Sequence, residues 1–385
     1  MSPRIELYDA SEIGSYTWPD TEYGRYAKHY LLPMLEQGVE RFAGNVHTRM
    51  LVLSVDGTPL PITVNEAEYD NSYVCSPYTH YVSYAKQELA LLGNRVLIAV
   101  LGVLLSGIGL LLKRSRFNRV VHVNNWLLST NLYPNLDGDQ WEAALDKLLS
   151  LFPEHAIAFR SLNPTMNFRE MERLRARNCL FVPSRQIYLL RTDEGSGFGN
   201  AKSRWLLKRD RALAGKHGYE IVGPGSVKEA DIPRIAELYR MLYLEKYSWH
   251  NPQFTEAFLA QMLSEGTLEI YGFRREDRLD AVLGFYARDG AMTTPLFGYD
   301  TSLPQELGLY RMLSALLIDL GIGRGQLLHE SSGAAQFKRN RGAVAEIEYT
   351  AIHIRHLPLR RRWTWVMLEK LLTGIGIPLL RKFKL

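Results

Sequence analysis

Residues 326–342 read QLLHESSGAAQFKRNRG, and this stretch says more about the fold than any other part of the chain. The apolar run 326–330 predicts a strand, and a turn rich in Ser and Gly ends it. A short helix is predicted over 334–341 and a further strand over 346–353. Strand, helix and strand in this order are typical of a layered α/β domain.

The α/β pattern continues outward from this stretch to both ends of the chain. Asp56-Gly57 separates two β-rich runs and predicts a hairpin. Asp139 is the predicted N-cap of the helix that begins there. Further helices are predicted over 77–88, 139–151, 167–178, 201–215, 230–247, 255–264 and 307–320, and strands over 49–55, 60–64, 120–124, 156–161, 185–191, 219–222, 268–274, 281–288 and 291–299.

The composition bounds the class of protein. Hydrophobic residues make up 46% and charged residues 23% of the 385 residues, which excludes disordered, collagen-like and coiled-coil chains. Two cysteines, Cys75 and Cys179, are too few for a disulfide scaffold or an iron–sulfur cluster. The N-terminus has no apolar core behind a basic start, so we expect no signal peptide and a reducing cytoplasm. We expect no metal site and no bound cofactor.

Positive charge is concentrated in two places. Residues 355–385 hold eight basic residues against Glu369, and residues 200–216 hold six against Asp210, although the formal net charge is only +5. Such patches suggest contact with phosphates or an anionic membrane, with a solvated face as the alternative. The tail 356–385 also contains Trp363, Trp365 and an apolar stretch, which favours a membrane-surface helix over a helix docked on the body.

The segment 96–112 carries no charge, and Lys113, Arg114 and Arg116 follow it. It falls just short of the roughly 20 residues that cross a bilayer. A buried helix is favoured, and a helix on the membrane surface or across the membrane remains an alternative. The basic flank fits the surface position best among the membrane alternatives.

The predicted order in the second half is helix, helix, three antiparallel strands, helix, strand, helix, strand, and it resembles that of a GNAT acyltransferase domain. Two such units in tandem resemble the FemAB-like acyltransferases. The matching residues are the basic helix from Ser203-Arg204 to Gly218-Tyr219, the strand end Phe297-Gly298-Tyr299-Asp300, and Ser331-Ser332-Gly333 with Phe337-Lys338 and Arg341-Gly342. The resemblance covers roughly 200–355 well and the first half by element order only.

The resemblance implies a fold and a set of domains. We expect two tandem GNAT-like domains, 1–195 and 196–355, each a mixed, mostly antiparallel sheet flanked by helices, with a linker at 192–200. A basic amphipathic tail, 356–385, would follow.

The resemblance also implies that Lys338 faces the acyl carbonyl in a cleft between the domains. The chemistry agrees, because an ammonium in a poorly hydrated place stabilises the oxyanion that forms when an amine attacks an ester or thioester. His329, Glu330 and Asp300 lie at strand ends and are candidates for accepting the proton of the amine. The alternatives are an ordinary basic helix face for Lys338 and hydrogen-bonding roles at strand edges for the other three.

Several polar and aromatic residues are candidates for substrate binding. Amide side chains can bind an acceptor or satisfy the turns of their own loop. The candidates are Asn124, Asn125, Asn131, Tyr299, Phe337, Ser331, Tyr310 and Arg311.

The donor is open between aminoacyl-tRNA and acyl-CoA or an acyl carrier protein. GNAT domains that use acetyl-CoA carry Gln/Arg-x-x-Gly-x-Gly/Ala before the central helix, where small residues let backbone N–H groups approach phosphates. Here residues 305–310 place Tyr310 at the last small position and add Glu306. This departure favours a donor other than CoA.

The sequence thus predicts a cytoplasmic N-acyltransferase that forms an amide, with peripheral contact to the inner membrane as an option. The acceptor would be a small amine or a cell-wall precursor. An acyl-CoA-dependent N-acetyltransferase and a non-catalytic, membrane-associated scaffold are the alternatives.

Overall fold

The computed structural model describes residues 2–89, 93–192 and 199–378. Contacts divide these residues into two compact units. Unit 1 contains residues 2–184, 250–253 and 348–378, and unit 2 contains residues 185–249 and 254–347. Most of the predicted linker 192–200 and the end of the tail, 379–385, lie outside the described residues.

Strands and helices alternate along the chain much as the sequence predicts. The strands are β1 (Ile5–Tyr8), β2 (Arg49–Val55), β3 (Thr58–Asn65), β4 (Val120–Val123), β5 (Ala156–Leu162), β6 (Leu180–Leu190), β7 (Glu220–Val222), β8 (Glu269–Arg275), β9 (Arg278–Arg288), β10 (Ala291–Tyr299), β11 (Leu327–His329) and β12 (Val344–His353). The helices are α1 (Glu22–Gln37), α2 (Ala85–Glu88), α3 (Arg95–Arg114), α4 (Gly138–Leu151), α5 (Pro164–Ala176), α6 (Ala201–Lys216), α7 (Ile232–Tyr239), α8 (Glu256–Ser264), α9 (Leu309–Arg324), α10 (Ala335–Asn340) and α11 (Leu359–Leu371).

Four local features differ from the sequence predictions. The helix predicted over 77–88 consists of π-helical turns at Thr79–Tyr84 followed by α2. Neither β1 nor α1 was predicted. The N-cap of α4 is Asp137 instead of Asp139: its carboxylate accepts from the backbone N–H of Gln140, whose side chain completes a capping box. The helix predicted over 230–247 is a 3₁₀ turn followed by α7 and π-helical turns at Arg240–Tyr247.

The sheet of unit 1 has the strand order β1-β2-β3-β4-β5, followed by residues 348–353 of β12. Adjacent strands are antiparallel, except that β4 and β5 are parallel. The connection between β4 and β5 contains α4, as is usual for a crossover between parallel strands. Successive side chains of β5 point to opposite faces of the sheet and so contribute to two hydrophobic cores. Ile157 and Phe159 pack with α4 and α5, whereas Ala156 and Ala158 pack with Phe117 on the opposite face.

The segment 96–112 forms α3, and the favoured prediction of a buried helix is wrong. Val96 and Val103 are each 74% exposed, and Leu104 is 56% exposed. Only the C-terminal part of the helix packs on unit 1, where Ile108 and Leu112 join the core that includes Phe117. Within residues 2–89, 93–192 and 199–378, no helix combines the length and the apolar character that crossing a bilayer requires.

The tail helix α11 packs into unit 1. Trp365 is 1% exposed and stacks on Phe117 with a centroid distance of 3.8 Å. Leu368 is buried beside it, whereas Leu359 and Trp363 are exposed. The helix is therefore docked along one side and presents apolar groups along another.

The sheet of unit 2 has the order β6-β11-β10-β9-β8-β7, in which residues 185–190 represent β6. Its pairs are antiparallel except β10 with β11. Leu283 and Phe285 of β9 pack in one core with residues of α6 and α9. On the other face α7 approaches β10 so closely that a Cβ on Gly298 would lie 2.6 Å from the carbonyl carbon of Leu238.

Unit 2 has the predicted order of elements: α7, α8, β8, β9, β10, α9, β11, α10 and the first residues, 344–347, of β12. The predicted fold class is confirmed: two tandem α/β units, each built on a mixed, mostly antiparallel sheet with helices on its faces. The strand β11, which ends at His329, lies inside the sheet of unit 2 between β6 and β10.

Candidate active site

The lysine predicted to face the acyl carbonyl is buried in unit 2. Lys338 lies on α10 and is 6% exposed. Its Nζ donates to the backbone carbonyl oxygens of Glu330 at 2.6 Å and Ser332 at 2.8 Å, and lies 5.5 Å from the ring centroid of Tyr188. Burial lowers the pKa of Lys338, and the charge of Glu330 opposes that shift. The side chain is therefore a poorly hydrated ammonium with a fixed position.

A strained turn brings those carbonyls to the ammonium. Ser331, Gly333 and Ala334 all have left-handed backbone conformations, with φ of 58°, 77° and 48°. Glycine adopts such values readily, but Ser and Ala do so at a cost in conformational energy. Two strained non-glycine residues within four positions mark a place where the surrounding structure holds the chain against its local preference, as often occurs at functional sites.

Arginine side chains hold α10 in place below this turn. Arg341 donates through Nε to Oδ2 of Asp210 at 2.7 Å and stacks on the ring of Phe337 at 3.3 Å. Arg311 binds the other oxygen of Asp210. Arg339 donates to the hydroxyl of Tyr188 at 3.1 Å. Arg311, predicted to bind substrate, is thus one of two arginines that bind the fully buried Asp210.

The carboxyl group of Glu330 differs from the other acidic groups of the site. Its Oε2 atom is buried and has no hydrogen-bond partner among the residues that the structure describes. Burial raises its pKa, and the positive charges of Lys338 and Arg341 oppose the shift. A carboxyl group with a raised pKa and an unused oxygen can accept a proton near neutral pH.

His329 is less suited to that task. It is 1% exposed, and its Nδ1 accepts a hydrogen bond from the backbone N–H of Ser331 at 3.1 Å. Burial, together with the charges of Arg185 and Lys338, lowers its pKa to about 3. The imidazole is therefore neutral at physiological pH and carries its proton on Nε2.

Asp300 is held in an ion-pair network. Its Oδ2 accepts from Arg234 at 2.6 Å and also from Arg278, while its Oδ1 accepts from the backbone N–H of Ser302 at 3.0 Å. Burial alone would raise the pKa of Asp300, but the hydrogen bonds from Ser302 and Arg234 lower it. A carboxylate stabilised in this way is a weak proton acceptor.

Aromatic candidates form a continuous cluster beside α10. The ring centroid of Tyr310 lies 4.8 Å from that of Phe337 and 6.2 Å from that of Tyr299. Burial raises the pKa of Tyr310, and the charge of Glu330 contributes. Lys246 donates to the hydroxyl of Tyr299 at 2.7 Å. The structure therefore brings Tyr299 and Tyr310 together with Phe337 of α10.

The start of α9 is the place where a CoA pyrophosphate would be expected. Gly308 has φ of 73°, and a Cβ there would lie 2.8 Å from Cδ1 of Leu213, so this small residue is required by the fold itself. The first turn then holds the buried ring of Tyr310, and Glu306 lies in the 3₁₀ turn before the helix. The ring of Tyr310 occupies space at the helix start, and the charge of Glu306 would repel a phosphate group. Both features disfavour binding of a pyrophosphate here.

The three asparagines predicted to bind an acceptor lie in unit 1 and are buried. Asn124 donates to the carbonyl of Leu132 and accepts from the indole of Trp126. Asn131 accepts from the backbone N–H of Trp126 and donates to the hydroxyl of Ser161. Their amides support the loop itself, and the assignment of acceptor binding stays a prediction.

Asn125 is also part of a polar cluster that the sequence did not reveal. It donates to Oγ1 of Thr63 at 2.8 Å and accepts from Nη1 of Arg160 at 3.1 Å. Arg160 lines a cavity with His80 and His122 that has room for about one water molecule. Nδ1 of His122 is buried with no hydrogen-bond partner in the described chain. This cluster could not be predicted from a local sequence motif, because its residues come from separate elements.

The basic run 200–216 forms α6, which turns most of its charges outward. Lys202, Lys208, Arg209 and Lys216 are exposed, whereas Arg211 pairs with Asp319. Trp205 is 55% exposed and lies under the guanidinium of Arg209 at 4.6 Å. An exposed indole among cations is a surface that can bind a polyanion with aromatic bases.

Solved structures similar to part of this chain include three that each cover about 60% of it. L-PGS from Bacillus licheniformis is 14% identical over 60% of this chain and 78% of that chain, with a TM-score of 0.45. FemX is 8% identical over 60% and 80%, with a TM-score of 0.44. A conserved protein of unknown function from Bacteroides thetaiotaomicron is 15% identical over 60% and 79%, also at 0.44. Neither a protein-family model nor a curated protein matches the chain.

Proposed function

We propose that this protein is an N-acyltransferase that forms an amide by transferring an activated acyl or aminoacyl group to an acceptor amine. The observation that carries the proposal is the pairing of a buried ammonium, Lys338, with a buried carboxyl oxygen of Glu330 that lacks a partner among the described residues. Both groups lie at a strained turn, and their pKa values are shifted toward each other. Perturbed groups of this kind mark candidate functional sites.

In the proposed chemistry, Lys338 and Glu330 have separate roles. The lone pair of a neutral amine attacks the acyl carbonyl, a C–N bond forms, and charge develops on the carbonyl oxygen. The third N–H of Lys338, which its two backbone carbonyls do not use, donates to that oxyanion. The Glu330 carboxylate accepts the proton of the attacking nitrogen. The bond to the leaving oxygen or sulfur then breaks, and Glu330 returns the proton to the leaving group.

The size of the expected contribution follows from known oxyanion donors. One preorganised donor in a water-poor site accounts for about 100- to 1,000-fold in rate. The ammonium of Lys338 meets the main condition, since the backbone holds it in place before the reaction begins and little reorganisation is needed. His329 and Asp300 remain alternatives for proton transfer, but their pKa values are lowered, which makes Glu330 the better acceptor.

The donor that we favour is aminoacyl-tRNA. The exposed cations and the indole of α6 support a nucleic-acid donor, and the bulky, acidic start of α9 argues against CoA. Acyl-CoA or an acyl carrier protein is the second candidate. The acceptor would be a small amine or a cell-wall precursor, reached in the cytoplasm or at the surface of the inner membrane. A non-catalytic membrane-associated scaffold is the alternative to an enzyme.

A transfer assay tests the reaction and the donor together. Purified protein is incubated with total tRNA charged with a mixture of labelled amino acids, or with labelled acetyl-CoA, and with a small-molecule and lipid extract as acceptor. Label that survives mild alkali marks an amide, because aminoacyl esters hydrolyse under those conditions. We expect an amide product that ribonuclease abolishes and that declines steeply with salt. A ribonuclease-resistant product from acetyl-CoA would identify the second donor, and no product in any arm would favour the scaffold.

Variants of Lys338 test the mechanism. Lys338→Met and Lys338→Gln both remove the charge, and the Gln amide can still donate to one of the two backbone carbonyls. We expect both to lower turnover about 100- to 1,000-fold. Lys147→Met, at an exposed lysine of unit 1, is the matched control and should keep full activity. Thermal unfolding monitors each variant, and a folded Lys338→Gln protein with normal turnover would end the mechanism.

A further inference from the structure

One face of α3 is apolar and exposed. Val96, Val100, Val103, Leu104 and Leu111 are between 36% and 74% exposed. Their spacing places them on one side of the helix. Gly107 lies on the same side, and no atom of the described residues comes within 4 Å of a Cβ built there. This face is about four turns long and carries no charge.

The opposite face of α3 attaches the helix to unit 1. Ile108 and Leu112 pack into the core around Phe117 and Trp365. Gly109 allows close contact, because a Cβ there would lie 2.9 Å from the hydroxyl of Tyr78. The exposed side chains are therefore presented on a helix whose C-terminal part is anchored to the folded body.

Basic groups surround the anchored end of the helix. Lys113 and Arg114 complete α3, and the ammonium of Lys113 lies 4.8 Å from the ring centroid of Tyr78. Arg360 of α11 donates to the backbone carbonyl of Arg114 at 2.9 Å, which places the start of the second basic helix here. Leu359 and Trp363, 76% and 56% exposed, add apolar groups next to that arginine.

We propose that α3, with the start of α11, docks unit 1 onto the surface of an anionic phospholipid bilayer. The apolar face would lie at the boundary between headgroups and acyl chains, and the basic groups would contact lipid phosphates. Trp363 fits the same interface, because indole rings favour the headgroup level. Binding of this kind leaves the helix in the plane of the membrane and needs no segment that crosses it.

Charge distinguishes a bilayer from a second copy of the chain as the occupant. Two copies packed with parallel α3 helices would bring Lys113 and Arg114 of each copy together, and antiparallel helices would bring them toward Arg95 of the other copy. Like charges repel in either arrangement. An anionic lipid surface instead complements both the apolar face and its basic end. The inference does not rest on the proposed function, since none of these residues takes part in the chemistry at Lys338.

Vesicle flotation of the full chain tests the proposal. The vesicles are phosphatidylcholine alone, or 70% phosphatidylcholine with 30% phosphatidylglycerol. We expect partitioning to rise at least tenfold with the anionic lipid and to fall at high salt. Lys113→Gln with Arg114→Gln should weaken it by roughly fivefold for each charge removed. Absence of binding to the anionic vesicles would overturn the proposal.

Variants of the exposed face locate the contact. Val100→Glu with Val103→Glu should lower partitioning at least tenfold, whereas Leu151→Glu, at an exposed leucine of α4, should leave it unchanged. Lys338→Gln should bind vesicles normally, so a failure of catalysis and a failure of docking can be told apart. If the double Glu variant bound like the wild-type chain, α3 would not be the docking element.

A spectroscopic readout covers the case in which the Glu variants fold poorly. An environment-sensitive fluorophore on Val103→Cys should shift to shorter wavelength with the anionic vesicles, and one on Leu151→Cys should not. Size measurement without lipid completes the test. An oligomer that Val100→Glu with Val103→Glu dissociates, with no vesicle binding by the wild type, would assign the surface to a second copy instead.

Discussion

The asparagine loop of unit 1 and the Glu330–Lys338 pair of unit 2 are both buried and polar, but they differ in how their hydrogen bonds are satisfied. The side-chain amides of Asn124, Asn125 and Asn131 form hydrogen bonds with backbone and side-chain groups of their own unit. Oε2 of Glu330 has no such partner in the described chain, and its pKa is raised.

The difference teaches how a structural polar cluster and a chemical one can be distinguished. A buried polar group that is fully bonded stabilises one conformation and offers nothing to a substrate. A buried group that is left unpaired destabilises the fold, and its presence calls for an explanation outside stability. On this criterion Glu330 is the stronger candidate for chemistry and the asparagines are the stronger candidates for architecture.

The sharpest test of this contrast is Glu330→Gln, which keeps the shape and removes the base. We expect turnover to fall about 100-fold or more, within the range for loss of a general base. In the wild type, activity should rise with pH through the raised pKa of Glu330 and fall through the lowered pKa of Lys338, giving a narrow bell. The variant should lose the rising limb.

Asp300→Asn is the matched control for that experiment. Because Asp300 binds two arginines, its loss should lower stability and leave the shape of the pH profile unchanged. If Asp300→Asn removed the rising limb and Glu330→Gln did not, the base would be Asp300.

Asn125→Ala tests the other side of the contrast. The substitution removes the hydrogen bond to Thr63 and one of those that Arg160 makes, while Arg160 keeps the carbonyl of Val74. We expect unfolding by urea to show a loss of about 1–3 kcal/mol. Turnover and KM of the folded protein should stay near their wild-type values. A large rise in KM for the acceptor, with little loss of stability, would instead support the predicted role in acceptor binding.

The smallest expected effect is the loss of folding stability at acidic pH that arises from buried histidines. The pKa of His329 is lowered to about 3, so the folded protein binds this proton less readily than the unfolded chain does. Its contribution to stability is therefore complete above the ordinary histidine pKa of about 6.5 and declines as the pH falls from there toward 3. His122 in unit 1 shifts in the same direction.

His329→Gln should flatten the acid limb of the stability curve by up to about 1.4 kcal/mol per pH unit below pH 6. Urea unfolding at pH 4.5, 5.5 and 7.5 measures this slope for the variant and the wild type. An identical slope in His329→Gln would mean that this imidazole can charge without unfolding.

Much of the fold could be predicted from local pattern. The hairpin β2–β3 follows from the two β-rich runs around Asp56-Gly57, and the order of elements in unit 2 follows from local patterns of the same kind. The helix α3 was predicted in position but wrongly in burial. An apolar composition specifies a helix that avoids water, and it does not say whether the rest of the chain covers that helix.

Local sequence by itself determined the elements, their order and the set of polar residues that could carry chemistry, because periodicity, turn residues and caps act over a few positions. Only the tertiary structure decided which of those polar residues are satisfied. It fixed Arg311 on Asp210 and Asp300 between two arginines. It also left Oε2 of Glu330 without a partner in the described chain, while the backbone carbonyl of the same residue binds Lys338. Desolvation and hydrogen-bond satisfaction depend on groups that are distant in sequence, and these two terms set the pKa values on which the proposed chemistry depends.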